Sequence, residues 1–391
     1  MARPKLVQTV LYFASFVLLG GTFAIVGPTL SSLAAHAQVG LVEISIVFTA
    51  HATGYLVGSL LSGRVFDRMR GHPILAFSLL CVSAIMVAMP LLKALWLLVA
   101  VRFLLGMVGS SIDVGGNTML VWTHGRSVGP FMNALHLMFG VGGLLSPLLV
   151  SLAFRTQGDA HAAYWALAAL AAPIALFALR VPSPAHGDAV ARREVAQARN
   201  TPLVLLLVLF FFVIVAAESG VSGWLSTYAA RYGASEVAAA LVTSAFWGAF
   251  TLGRVLAIPI AMRATPERML VGGVAIALVG MGLLIAGGGA MSMTWAGAIA
   301  AGLGIASLFA TGIAYAESRM EISGSVTSFF LGGGSVGSML MPLLIGSAFE
   351  RYGPQSLPVI MLAVLGLGAL TLFATFRVAL AATMHPRAAD M

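Results

Sequence analysis

The sequence contains very little charge. Only 9% of its 391 residues are Asp, Glu, Lys or Arg, whereas a soluble domain has about 25%. Hydrophobic residues make up 60% of the chain, and the mean hydropathy is +1.00. A soluble enzyme of this length needs more charge to cover its surface, and a disordered chain is far less apolar. Both classes are excluded, and an all-α polytopic membrane protein remains.

The chain also has a single cysteine, Cys81, which excludes a disulfide framework and a multi-cysteine metal site. Its sequence contains no two-histidine metal spacing, nucleophile elbow or phosphate-binding loop. We therefore expect no enzymatic activity and no cofactor. The net charge of +8 is typical of basic cytoplasmic loops in a membrane protein, so we expect a lipid bilayer and no nucleic acid as partner.

Long apolar runs are abundant. A membrane-spanning helix needs about 20 apolar residues, and the sequence divides into twelve such runs, interrupted once by a polar stretch. We predict two six-helix bundles, 1–181 and 202–391, joined by a cytoplasmic linker loop, 182–201. Spans 1 to 12 are predicted at residues 7–33, 43–66, 73–92, 95–122, 128–154, 161–181, 202–228, 235–262, 267–288, 293–317, 323–349 and 356–380.

Basic residues are distributed unevenly between the two ends of the predicted bundles. With the N-terminus in the cytoplasm, 16 of the 21 Lys and Arg residues lie on the cytoplasmic side. Because basic loops stay cytoplasmic, both termini are predicted to be cytoplasmic. Short loops, no N-glycosylation acceptor and no cleavable signal fit a monomeric, multi-pass protein of a bacterial inner membrane.

Two stretches of the first half recur in the second. Residues 58–65 of span 2 match 248–255 of span 8, and the helix around Gly142 and Pro147 of span 5 matches that around Gly337 and Pro342 of span 11. The offsets are nearly equal, which indicates a duplicated six-helix unit. Parallel repeats of this kind place a substrate site near the membrane midplane, between the two halves.

The loop between spans 2 and 3 carries a charged motif. It consists of Gly63, Asp67, Arg68, Arg70 and Gly71, with the second glycine one residue late. Together with the 6+6 spans and the basic linker, this motif resembles that of the major facilitator superfamily of secondary transporters. The resemblance implies a charge latch that holds the two halves in one state. A solvated basic loop that only sets topology is the alternative.

The second half keeps only part of this motif. Gly253 and Arg254 remain, but Ala257 stands at the aspartate position. The candidate gating-loop residues are therefore Gly63, Asp67, Arg68, Gly253 and Arg254.

Few ionisable side chains fall inside the predicted spans. A charged group at bilayer depth costs about 2.5–3.5 kcal/mol, so each is a candidate for function. These residues are His51, Arg102, Asp113, His136 and Glu218.

The strongest candidates lie on spans 4 and 5. Asp113 and Asn117 are four residues apart on one helix face, and Asn133 and His136 are three apart on the next helix. An antiparallel hairpin would bring these four side chains together. A carboxylate beside an imidazole and two amides suits proton uptake and release, and it also suits binding of sugar hydroxyls. Mutual hydrogen bonding as interhelical glue is the alternative.

The other candidates are more isolated. Glu218 lies near the middle of span 7 and is a second candidate for coupling or substrate binding. Arg102 lies roughly 16 Å before Asp113 along span 4, where it would meet an anionic substrate or snorkel to the outer interface. His51 is a candidate ligand or a packing residue. The aromatic candidates for substrate contact, each with core packing as the alternative, are Trp224, Trp247 and Tyr315.

The order of residues in spans 4 and 5 resembles the fucose- and glucose-type symporter branch of the superfamily. The matching positions are Asp113, Asn117, Gly129-Pro130, Asn133, His136 and Pro147. The resemblance implies Asp113 as the coupling acid and Asn133 or His136 as substrate contacts, with H+ or, alternatively, Na+ as driving ion. That branch often has an acid in span 1, which is missing here, so Glu218 is the candidate substitute.

These patterns predict a secondary transporter that takes up a small, sugar-like solute with protons. A proton-antiport exporter is the main alternative, although the exporter signature of span 5 is absent from this sequence. A non-transporting receptor and a polytopic membrane enzyme are the alternatives from other classes.

Overall fold

The computed structural model describes residues 3–185, 201–320 and 324–384. Twelve helical segments in these ranges are long and apolar enough to cross a membrane, which confirms the predicted all-α fold with twelve spans. Residues 186–200 of the predicted linker lie outside the described part. The first six spans are formed by Arg3–Ala24 with Val26–Ala37, Leu41–Arg68, Gly71–Ala88, Leu95–His124, Gly129–Gln157 and His161–Arg180. The last six are formed by Thr201–Arg231, Glu236–Ala261, Pro266–Gly287, Met291–Ile305 with Leu308–Arg319, Gly324–Tyr352 and Ser356–Met384.

Spans 1 and 10 are each made of two consecutive helices. In span 1 the break falls after Ala24, four residues before Pro28. Proline has no N–H, and its ring clashes with the carbonyl four residues earlier, so the helix is interrupted at this point. In span 10 the break falls at Ala306, shortly after Gly302 and Gly304. Spans 1 and 10 are therefore each interrupted once along their length.

The ends of spans 5 and 11 have the same geometry. Gly158 and Gly353 both adopt positive φ, 76° and 84°. Their N–H groups donate to the carbonyls of Phe154 and Phe349, at 3.1 and 3.0 Å. Glycine adopts this left-handed conformation without the steric cost of a Cβ. These four residues are related by the offset found in the sequence, so the structure agrees with the duplication.

Spans 2 and 4 cross at very short distance. A Cβ on Gly58 would lie 2.6 Å from the carbonyl oxygen of Met107, and a Cβ on Gly106 would overlap the carbonyl of His51. Small residues allow helix backbones to approach closely in a membrane. This crossing places the middle of span 2 directly beside the middle of span 4, on the side facing the second half.

The two ends of the bundle can be distinguished by the chain itself. We call the end where span 6 leads into the linker the linker side, and the opposite end the far side. Spans 2 and 11, from different halves, contact each other toward the far side. Thr49 Oγ1 donates to the Met339 carbonyl at 2.7 Å, and a Cβ on Gly346 would lie 2.9 Å from Ser45 Oγ. The halves are therefore held together on the far side.

Spans 5 and 8 form a second contact between the halves. Ser244 Oγ donates to the Leu144 carbonyl at 2.8 Å, and Ser151 Oγ donates to the Val237 carbonyl at 3.2 Å. A Cβ on Gly143 would lie 2.8 Å from the indole of Trp247. These contacts between spans 5 and 8 lie along one edge of the space between the halves.

Candidate functional site

A cavity of about 340 Å³ lies between the two halves. Small-molecule sites in proteins occupy about 300–1,000 Å³, so this volume suits a small solute. Spans 1, 2, 4 and 5 line it from the first half, and spans 7, 8, 10 and 11 from the second. Its polar and charged lining residues are Thr22, His51, Tyr55, Arg102, Asp113, His136, Glu218, Ser219, Ser222, Arg254, Ser335 and Ser338.

The exposure of the lining residues changes with depth. Toward the far side Arg102 is 1% exposed and Ser222 is 5% exposed. Toward the linker side His136 is exposed, and Leu331 is 51% exposed. The cavity is therefore closed at the far side and opens toward the linker side.

Asp113 is held in the cavity by two neighbours. Tyr55 Oη, from span 2, donates a hydrogen bond to Asp113 Oδ2. Asn117 Nδ2 donates to Asp113 Oδ1 at 2.8 Å and to the Asp113 carbonyl at 2.9 Å. Hydrogen bonds to a charged acceptor are stronger than neutral ones, so both carboxylate oxygens have a fixed orientation. The carboxyl group nevertheless lines the cavity and is available to a proton or a ligand.

A second group of charges surrounds His136. Arg254 of span 8 donates from Nη1 to the His136 carbonyl at 3.0 Å, and its guanidinium lies 4.5 Å from the centroid of the Phe250 ring. Arg254 also interacts electrostatically with Glu218 within the second half. The His136 ring interacts with both Asp113 and Arg254. Charges from the two halves therefore meet at this level of the cavity.

The far end of the cavity contains Arg102 and His51. Both are buried, at 1% and 9% exposure, and they interact electrostatically. Arg102 also interacts with Tyr164, whose hydroxyl shares a hydrogen bond of 2.7 Å with Thr29. Of the alternatives for Arg102, snorkelling to the outer interface does not fit the structure, because the side chain is buried and lines the cavity.

Five predicted substrate contacts do not line the cavity. One is Asn117, whose side-chain amide is hydrogen-bonded to Asp113 and is absent from the lining residues. Asn133 is exposed, and it is absent from the lining residues. Trp224, Trp247 and Tyr315 are completely buried. Trp224 packs on Phe349 at 5.3 Å between centroids, Tyr315 packs on Phe376 at 5.3 Å, and Trp247 packs behind Phe23 and Phe139 at 6.0 Å each. In this structure the three aromatic residues are core residues.

The predicted gating residues divide into two groups. Asp67 and Arg68 are exposed at the end of span 2, and neither forms an ion pair with another described residue. Gly253 and Arg254 lie within span 8, in agreement with its predicted bounds of 235–262, because the helix Glu236–Ala261 continues seven residues beyond Arg254. They are therefore not part of a gating loop, and Arg254 lines the cavity. The latch role of the loop between spans 2 and 3 stays a prediction.

Several lining residues were not singled out as candidates by sequence reasoning. They include Tyr55, whose hydroxyl reaches Asp113, and the serines of span 11. Tyr55 lies four residues after His51 on the same helix face, and this spacing was the available signal. Ser335 and Ser338 carry no comparable signal, because serine is common in apolar helices.

The far-side contact includes a capped helix. Glu350 of span 11 accepts hydrogen bonds from the N–H groups of Leu41 and Val42, at 2.5 and 3.1 Å. These are the first two residues of the helix Leu41–Arg68, whose N–H groups have no partner within the helix. A carboxylate at a helix N-terminus is also stabilised by the helix dipole. Glu350 therefore links the second half to the first on the far side.

We expect Glu350→Ala to loosen this link by about 1 kcal/mol, as for other lost helix caps, which is about a fivefold shift in population. The measurement is labelling of Ser338→Cys, in a Cys81→Ser background, by an impermeant maleimide added from the far side of reconstituted vesicles. Labelling should rise about fivefold. Glu43→Ala is the control, because it removes an equally exposed acid from the same helix end. Equal labelling in both variants contradicts the role of Glu350.

Comparison with known proteins decides the family. The sequence matches the model of the Major Facilitator Superfamily over residues 11–342. The chain belongs to the major facilitator superfamily. The expectation from the loop motif and the 6+6 spans is thereby confirmed, and the superfamily consists of transporters and not of enzymes.

Several relatives within the superfamily match most of this chain. Sodium-dependent glucose transporter 1 of Rattus norvegicus is 30% identical over 402 residues, which cover 93% of this chain and 83% of the relative. The protein of the same name from Danio rerio is 28% identical over 388 residues and covers 89% of this chain. The match spans only 65% of that relative's length.

A solved structure shows the same fold. The crystal structure of the nucleoside transporter NupG superposes with a TM-score of 0.74, at 16% sequence identity, over 96% of this chain and 99% of that one. At this identity the likeness concerns the fold alone. It agrees with the twelve-span architecture of a major facilitator superfamily transporter.

Proposed function

We propose that this superfamily transporter takes up a small, sugar-like solute together with protons, by alternating access of the cavity to the two sides of the membrane. The observation that carries the proposal is Asp113, a carboxyl group that lines the cavity between the halves and is oriented by Tyr55 and Asn117. An acid within the membrane that lines a ligand site can couple protonation to binding. Glu218, across the cavity, is the second candidate for coupling.

The lining of the cavity supports a polar solute. Hydroxyl, imidazole, guanidinium and carboxyl groups lie beside aromatic rings, among them Phe23, Phe139 and Phe309. Sugars bind in such sites through hydrogen bonds and through stacking of their apolar faces. The names of the relatives support a sugar as well, and they make Na+ the alternative coupling ion.

We also propose that the linker side faces the cytoplasm of a bacterial cell. The basis is the excess of Lys and Arg predicted on that side. In this orientation the structure is open to the cytoplasm and closed to the outside, so it represents the state that releases an imported solute.

The proposal is tested by reconstituting the protein in vesicles and measuring accumulation of labelled D-glucose. An inward proton gradient should drive accumulation above the external concentration, and an inward Na+ gradient at constant pH should not. Accumulation with Na+ alone would replace the proton by Na+ in the proposal. Vesicles that take up no sugar above protein-free vesicles under either gradient contradict it.

A further inference from the structure

Arg102 is a buried cation with unused hydrogen-bond donors. It is 1% exposed and lines the cavity. Its Nε and Nη1 atoms have no hydrogen-bond partner among the described residues. A guanidinium carries five N–H donors and no acceptor, and leaving donors unpaired away from water is unfavourable. The protein therefore presents a desolvated positive group at the closed end of its cavity.

The acids of the cavity do not neutralise this charge. Asp113 is bonded to Tyr55 and Asn117, roughly 16 Å further along span 4, and Glu218 interacts with Arg254. The ion pairs within the described residues involve other side chains. An unpaired buried charge is costly, and a protein keeps one where a ligand can complete the pair.

His51 adds a second unused polar atom at the same place. It is 9% exposed, it lines the cavity, and its Nδ1 atom has no hydrogen-bond partner among the described residues. It is close enough to Arg102 to interact with it electrostatically. Two side chains from the tightly packed spans 2 and 4 thus lie at the closed end of the cavity. The close crossing of these spans fixes their positions in advance of binding.

We propose that Arg102 and His51 bind the carboxylate of the substrate, so that the transported solute is a hydroxylated monocarboxylate of the sugar-acid class. This rests on the proposed uptake of a sugar-like solute and specifies its chemistry. A guanidinium matches a carboxylate in geometry and neutralises its single charge. The hydroxyl groups of the solute then face Glu218 and Ser222 of the other half, which line the same cavity.

The test compares binding of D-glucuronate, D-glucose and D-glucose 6-phosphate to the purified full-length protein by titration calorimetry. Wild type should bind glucuronate at least about tenfold more tightly than glucose, as expected for charge-assisted hydrogen bonds. Arg102→Met should lose this preference, because its affinity for glucuronate falls by more than its affinity for glucose. Arg155→Met, which removes an exposed arginine at the far end of span 5, is the control and should behave as wild type.

Thermal unfolding of the ligand-free proteins separates binding from a structural role. Arg102→Met removes an unpaired buried charge, so it should unfold at a temperature equal to or above that of wild type. An arginine needed for folding gives a lower temperature. A variant that unfolds earlier and loses affinity for glucose and glucuronate equally overturns the inference.

Four further outcomes also test the inference. Equal affinity of wild type for glucuronate and glucose overturns the carboxylate site, and strongest binding of glucose 6-phosphate assigns the site to another anion. Binding is measured without any gradient. Proton-driven glucose accumulation without a glucuronate preference therefore overturns only this inference, whereas glucuronate binding without accumulation of either sugar overturns only the coupling mechanism.

Discussion

Asp113→Asn should abolish accumulation of the solute driven by a proton gradient, while exchange of labelled for unlabelled solute continues. The amide keeps the size of the carboxyl group and an oxygen that can accept from Tyr55 or Asn117, so the cavity keeps its shape. It cannot take up or release a proton. The steady-state concentration of glucose inside vesicles should fall to the external value, and counterflow should remain within about threefold of wild type, since less than 1 kcal/mol of binding is at stake.

The matched control is Asp67→Asn. It neutralises another carboxylate of the first half, which is exposed at the linker-side end of span 2 and not in the cavity. This variant should accumulate glucose as wild type does, unless the loop acts as a latch, in which case both accumulation and exchange slow together. Asp113→Asn vesicles that still concentrate glucose under a proton gradient would remove Asp113 from the coupling mechanism.

The number and order of the spans followed from the sequence for a physical reason. Backbone polar groups must be satisfied within each segment in a bilayer, so a long apolar run forms a helix almost regardless of its neighbours. The ends of the individual spans were predicted less accurately. Span 1 was predicted to end at residue 33, whereas its second helix continues to Ala37. A helix that leaves the hydrocarbon region is no longer limited by hydropathy.

The partners of Asp113 could be predicted only in part. The spacing of Asp113 and Asn117 on one helix correctly indicated contact, because it depends only on local geometry. Span 5 was expected to supply the other partners, whereas Tyr55 of span 2 forms the hydrogen bond. Helical periodicity shows which residues share a face, but it does not show which neighbouring helix that face meets. Here the tight packing of spans 2 and 4 at their glycines brings Tyr55 to Asp113.

The positions of aromatic residues and arginines relative to the cavity also could not be predicted from the sequence pattern. Composition alone does not show whether a tryptophan in an apolar helix packs in the core or lines a binding site. Trp247 lies behind the cavity wall and not on it. Arg254 was predicted to lie in span 8 but was given a gating role through its position in a repeated motif. Its long side chain instead reaches from within span 8 into the cavity. Only the three-dimensional arrangement places it between Glu218 and the first half.

Arg254→Gln should both destabilise the protein and stop transport. Its guanidinium interacts electrostatically with Glu218 without forming one of the ion pairs of the described residues, and its Nη1 donates to the His136 carbonyl of the other half at 3.0 Å. Breaking a fully buried ion pair costs about 3–5 kcal/mol, and a smaller loss is expected here because the two side chains are half-buried and are not in direct contact. We expect a lower unfolding temperature in detergent and at least a tenfold loss of glucose exchange, the loss that about 1.4 kcal/mol produces.

The double variant Arg254→Gln, Glu218→Gln separates charge balance from the bond between the halves. If Glu218 balances the charge of Arg254, neutralising both residues should recover most of the unfolding temperature that Arg254→Gln alone loses. The reason is that neither residue then leaves the other's charge unbalanced. Transport should stay impaired, since the hydrogen bond to span 5 is still missing. Arg263→Gln, which removes an exposed arginine just beyond the end of span 8, is the control. Strictly additive effects of the two substitutions on the unfolding temperature would show that Arg254 and Glu218 are not coupled.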